Sequence, residues 1–236
     1  MAIHYGVDPI YYLITGVFML LSWLAGVQLR RKFELYSQVP VGMTGEQVAR
    51  RMLLDNGITD VTVTAVPGQL TDHYHPLKKT VNLSEGVYES SSLAAAAVAA
   101  HECGHAVQHA KSYAALQMRS ALVPVANVST QLAQFVLMAG LVLMAVAPKL
   151  GPTVLLFGIV LFSVTVLFTF ITLPVEFDAS RRALVWLERS GVAGGREHAM
   201  ARDALKWAAM TYVVAALAAL GQLFYYVMIF LRSSRR

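Results

Sequence analysis

Four stretches of this chain, residues 9–29, 122–147, 153–173 and 211–231, contain no charged side chain at all. A bilayer core about 30 Å thick is crossed by about 20 apolar residues in a helix. In lipid, a helix is the only single-segment structure that satisfies its own backbone hydrogen bonds. The four runs therefore predict a mainly α, polytopic membrane protein with about four transmembrane helices. Composition agrees: 56% of the 236 residues are hydrophobic and 14% charged, with mean hydropathy +0.54, where a soluble domain carries about 25% charged residues. This excludes an ordinary soluble enzyme, a disordered tail and a nucleic-acid module. The formal net charge of +5 points to the bilayer rather than to nucleic acid, because Lys and Arg gather at the ends of the apolar runs. The single cysteine, Cys103, cannot form an intrachain disulfide.

The connections between the runs set the topology. Pro148-Lys149-Leu150-Gly151-Pro152 has the composition of a tight turn, so the second and third runs form a hairpin. The first run ends at Arg30-Arg31-Lys32 with no small-residue cleavage site, which reads as a retained anchor. Residues 30–120 hold nine Lys or Arg and residues 176–210 hold six, against Lys149, Arg232, Arg235 and Arg236 on the other side. Cytoplasmic segments collect such residues, so the two polar segments are expected to face the cytoplasm from a multi-pass protein of the cell membrane, with both termini outside.

The first polar segment carries its own fold signals. Thr44 with Gln47 forms a capping box for a helix that Gly57 ends in a left-handed conformation. Residues 59–66 are β-branched and alternate as a strand does, Pro67-Gly68 turns the chain, and residues 79–84 suit a second short strand. That strand is expected either to be an edge onto which an extended substrate adds, or to be part of a structural hairpin. One of Ser90, Ser91 and Ser92 then opens a long alanine-rich helix.

That helix carries His101-Glu102-Cys103-Gly104-His105, an H-E-x-x-H motif. At 3.6 residues per turn its two histidines stack on one face about 6 Å apart, within reach of one tetrahedral zinc. Glu102 projects beside them, placed to take a proton from an attacking water. A catalytic zinc takes three protein ligands and keeps a position open. The metzincin answer would require Gly at position 108 and His at 111, which are Gln108 and Lys111. His109 lies a turn further along the helix and cannot bend back to the same ion. A Glu from a later helix is the remaining solution. Glu176 fits it, following Pro174, a helix-opening residue type, where the third run returns to the side of the motif. Its competitors are His73, His75, Glu85 and Glu89, each also explained as a loop or strand-end residue.

The segments Leu70-Thr71-Asp72-His73-Tyr74, Val81-Asn82-Leu83-Ser84, the surroundings of His101–His105, Leu173-Pro174-Val175-Glu176-Phe177-Asp178-Ala179-Ser180-Arg181-Arg182-Ala183-Leu184 and Thr211-Tyr212-Val213 resemble the YugP-type membrane zinc metallopeptidases, relatives of the HtpX-type and CAAX-prenyl proteases among gluzincins. The resemblance implies Zn2+ held by His101, His105 and Glu176, with Glu102 as general base. It also implies a peptide or membrane-protein substrate. The usual gluzincin pattern places an Asp four residues after the ligand Glu, but this chain has Ser180 there. The residue that orients a ligand is thus Asp178 or Ser180, the carboxylate being expected to have the larger effect. Tyr212 and His198 are the candidates for holding an oxyanion.

These readings divide the chain into an anchor (1–29), a zinc-helix region with a small sheet forming an α+β metallopeptidase unit (30–120), a transmembrane hairpin (121–174), a helical region with the third ligand (175–210) and a last span with a basic tail (211–236). The expected activity is peptide-bond hydrolysis by a zinc metalloendopeptidase. Two rivals remain. An intramembrane protease would need an Asp downstream in Leu-Asp-Gly, whereas Leu54-Asp55-Asn56-Gly57 is upstream. A membrane scaffold or chaperone clamped by zinc would need a fourth protein ligand.

Overall fold

The computed structural model describes residues 9–233. The tail residues Arg235 and Arg236, and the first eight residues of the anchor, lie outside that range. The chain is mostly helical, with one small sheet, in the order α1 (Pro9–Tyr36), α2 (Gly45–Asp55), β1 (Thr62–Val66), β2 (His73–His75), β3 (Thr80–Ser84), α3 (Glu85–Tyr88), α4 (Leu93–Ala110), α5 (Ala114–Val146), α6 (Gly151–Arg189) and α7 (Gly195–Ser233). Four helices, α1, α5, α6 and α7, are long and apolar enough to cross a membrane. Each extends beyond its uncharged run, because hydropathy marks only the part suited to lipid while intrahelical hydrogen bonding continues past it.

The residues divide into two compact units. Among the described residues, one comprises 9–24, 118–172 and 212–233, and the other 25–117 and 173–211. In the first, α5 and α6 form the expected hairpin around Ala133, Leu137, Leu155 and Ile159. Small residues let the two backbones meet: a Cβ built on Gly140 would lie 2.7 Å from the Leu155 backbone, and one on Gly158 2.9 Å from that of Leu137. Large apolar side chains such as Phe135, Phe157 and Phe224 point outward, as lipid-facing positions do.

The second unit is built around α4. Ser92 caps this helix by accepting from the Ala95 amide, and Ala94–Ala97, Ala99 and Ala100 are almost fully buried. A helix buried on nearly all sides needs small side chains so that its neighbours can approach, which is what the alanine run supplies. Val48, Ala49, Met52 and Leu53 of α2, Val81 and Leu83 of β3, and Ala183 and Leu187 of α6 complete this core. The capping box at Thr44 and Gln47 is present, and Gly57 has φ +70°.

Two expectations are corrected. Of the two alternatives for the strand at residues 80–84, the edge is ruled out and the structural hairpin is found: the strand is central, paired in parallel with β1 and antiparallel with the preceding β2. The three-residue β2 is too short to leave an alternating pattern in the sequence, so the second partner of β3 was invisible there. Asp72 secures the arrangement by accepting from the Ser84 amide at 2.7 Å and from its hydroxyl. Pro174, in turn, opens no helix but lies inside α6. A proline removes a single backbone donor, and the bonds on either side carry the helix through.

Candidate metal centre

Helices α4 and α6 approach through Gly104, where an added Cβ would stand 2.6 Å from the Ala179 carbonyl oxygen. The missing side chain therefore lets His101 and His105, which flank Gly104 on α4, reach Glu176 on α6. His101 Nε2 lies 3.2 Å, and His105 Nε2 3.6 Å, from Glu176 Oε2. The donor atoms of the three residues all fall within 4.8 Å of one another, and they form the one His, Cys, Asp or Glu group of this kind among the described residues.

The remaining ring nitrogens are held from behind. Ser180 Oγ is 3.1 Å from His101 Nδ1. Gln108 is fully buried, and its amide donates to the Val175 carbonyl at 2.8 Å and to Asp178 Oδ2 at 2.9 Å. With both amide hydrogens committed, Gln108 turns its carbonyl oxygen to His105, whose Nδ1–H donates to it at 3.0 Å. In the neutral ring the proton is thereby placed on Nδ1 and the lone pair of Nε2 faces Glu176, whereas in the charged ring Nε2–H is turned toward that carboxylate. Arg181 and Arg182 both bind Asp178. Sequence reasoning weighed Asp178 against Ser180 for one supporting role, whereas each supports a different histidine. The part of Gln108 was missed, since its pairing with residues 67 and 70 positions away leaves no local signal.

Electrostatics suit a cation. Glu176 lies past the apolar stretch ending at Leu173, where burial opposes its ionisation, but hydrogen bonds from His101 and His105 outweigh this and hold the carboxyl well below the usual range. Burial likewise opposes the charging of His105, yet its hydrogen bond to Glu176 and the fields of Glu102 and Glu176 raise its pKa. Two imidazoles and one carboxylate fit the N and O donor set of Zn2+. Glu102 is buried beside the cluster, and its carboxylate accepts no hydrogen bond among the described residues.

The competitors stand elsewhere. His73 bonds the Thr71 carbonyl and Asn82, and His75 accepts from the Lys78 amide. Glu85 and Glu89 lie at the two ends of α3 and outside the cluster. His109 bonds the Tyr74 hydroxyl at 2.7 Å, and burial pushes that hydroxyl up to about 12, so it remains a donor. Cys103 is buried with its sulfur 3.5 Å from the Ala49 carbonyl. His198 lies outside the cluster, its Nε2 buried without a partner among the described residues. Tyr212 belongs to the other unit.

Four membrane-length helices and a His-His-Glu donor set define a class: a multi-pass membrane protein with a candidate metal centre. The chain belongs to the family described as "putative neutral zinc metallopeptidase", whose profile it matches over residues 11–231. It is 43% identical over 213 residues to the "Putative membrane protease YugP" of Bacillus subtilis (strain 168), covering 89% of this chain and 92% of that protein. No solved structure matches the chain.

Proposed function

We propose that this protein is a zinc metalloendopeptidase of the gluzincin type that cleaves peptides or membrane proteins at the cytoplasmic surface of the cell membrane. His101, His105 and Glu176 would hold the zinc. The observation carrying this reading is the convergence of three donor atoms whose two imidazoles are each fixed from behind. When bound, zinc supplies Lewis-acid polarisation of the scissile carbonyl and acidifies the attacking water. Glu102, with no other hydrogen-bond partner among the described residues, takes that water's proton and delivers it to the leaving nitrogen. Gln108 and Ser180 keep the imidazoles oriented, as the outer partners of metal-binding histidines generally do. The family match supports the peptidase class, and the excess of Lys and Arg in the polar segments supports the cytoplasmic orientation.

The test is Glu102→Gln. We expect the purified variant to keep about one zinc per chain while losing hydrolysis of its substrates, sought as membrane proteins that accumulate when it replaces the wild type. Unchanged hydrolysis in the zinc-loaded variant would overturn the mechanism.

A further inference from the structure

A cavity of about 540 Å³ lies within the second unit, and none of His101, His105 and Glu176 lines it. Its lining includes Arg51, Lys111, Arg181, Arg182 and Arg189, with Asp55 as the one acid. Asp55 is already engaged, accepting from Trp186 Nε1 at 2.9 Å and lying near Arg51. Asp178, which is not part of the lining, pairs with Arg181 and Arg182. Five cations against these two carboxylates leave a surplus of three positive charges, and neither Lys111 nor Arg189 forms an ion pair among the described residues. The cavity wall also carries the apolar side chains of Val107, Val185 and Trp186.

We propose that this cavity binds a phosphate-bearing organic anion. Arginine forks match phosphate oxygens in pairs, a charge surplus of three suits a dianion, and the apolar wall and volume exceed what bare phosphate fills. The phosphate could belong to a soluble ester or to a lipid headgroup, and helix geometry separates the two. Arg181 is eight residues beyond Leu173 on the same helix, about 12 Å at 1.5 Å per residue. The headgroup layer is only about 6 Å deep. The expected occupant is therefore the soluble ester.

The probe is sn-glycerol 3-phosphate, read by Trp186 fluorescence in a Trp23→Phe/Trp207→Phe background, with the full chain in detergent and in nanodiscs. A saturable response in detergent, weakened at least tenfold by Lys111→Gln/Arg189→Gln and retained by Lys111→Arg/Arg189→Lys, is expected. If the saturable response is present in phosphatidylcholine nanodiscs but abolished in phosphatidylglycerol nanodiscs, the binding chemistry stands and the occupant in the membrane is the lipid headgroup. A lack of response in every setting, or equal responses in the charge-neutralised and charge-retaining pairs, would overturn the proposal. Circular dichroism and zinc content establish that both pairs are folded.

Discussion

The side-chain carbonyl of Gln108 stands 3.0 Å from Nδ1 of His105, one turn back on the same helix. Because the Gln108 amide is tied to Val175 and Asp178 on α6, this contact joins the tautomer of a histidine on one helix to the position of another. Gln108→Ala would leave the Val175 carbonyl, Asp178 and the His105 Nδ1–H without this partner. Zinc affinity is expected to fall about 10-fold to 100-fold, the usual range for such supporting groups, as read by competition with a chelator.

Ser180→Ala and Asp178→Ala should separate in their coupling. Asp178 reaches His105 through Gln108, so Asp178→Ala combined with Gln108→Ala should cost less than the two losses together. Ser180 acts on His101, and its loss should add independently to that of Gln108. Chelator competition across the double-mutant cycles decides this, and additive Asp178 and Gln108 effects would refute the relay.

Gly104→Ala tests the close approach of the helices. Alanine favours a helix interior by about 1 kcal/mol over glycine, but the new Cβ would meet the Ala179 backbone at 2.6 Å, and overpacking costs about 1–3 kcal/mol. The shift needed to relieve the contact separates His101 and His105 from Glu176. Zinc content is expected to drop even where thermal unfolding changes little, and full zinc content would show that the approach is not required.

Acid should release the metal. The pKa of His105 is raised in the metal-free site, so its proton begins to compete with zinc at a pH above the ordinary histidine value of about 6.5. Apparent zinc affinity is expected to fall as pH drops from 8 to 6, and an affinity flat over that interval would contradict the assignment of His105 as a ligand.

Thiol labelling in intact cells examines orientation. In a Cys103→Ser background, an impermeant reagent is expected to reach cysteines at Lys149 and Ser234 and to miss those at Ser37 and Gln69. The reverse pattern would place the metal centre outside the cytoplasm. Labelling that separates Gln69 from a cysteine at Gly195 would conflict with the 3.2 Å contact of His101 and Glu176, which two faces of a bilayer could not share.

Local and near-local rules made much of this protein legible without a structure. Uncharged runs of about 20 residues imply membrane helices whatever surrounds them, and the turn at residues 148–152 implies a hairpin. The i, i+4 spacing puts His101 and His105 on one helix face, while the caps at Thr44 and Ser92 act within three residues. Tertiary structure decided what depends on residues far apart in the chain. The passage of α6 through Pro174 rests on the hydrogen bonds around it, and the central place of β3 rests on a three-residue partner with no periodicity of its own. The division of support between Ser180 and Gln108 rests on which side chains meet where α4 and α6 cross. Such contacts arise from packing across as many as 79 positions of sequence, for which no local pattern exists, whereas a helix, a cap or a turn is determined by neighbours a few residues away.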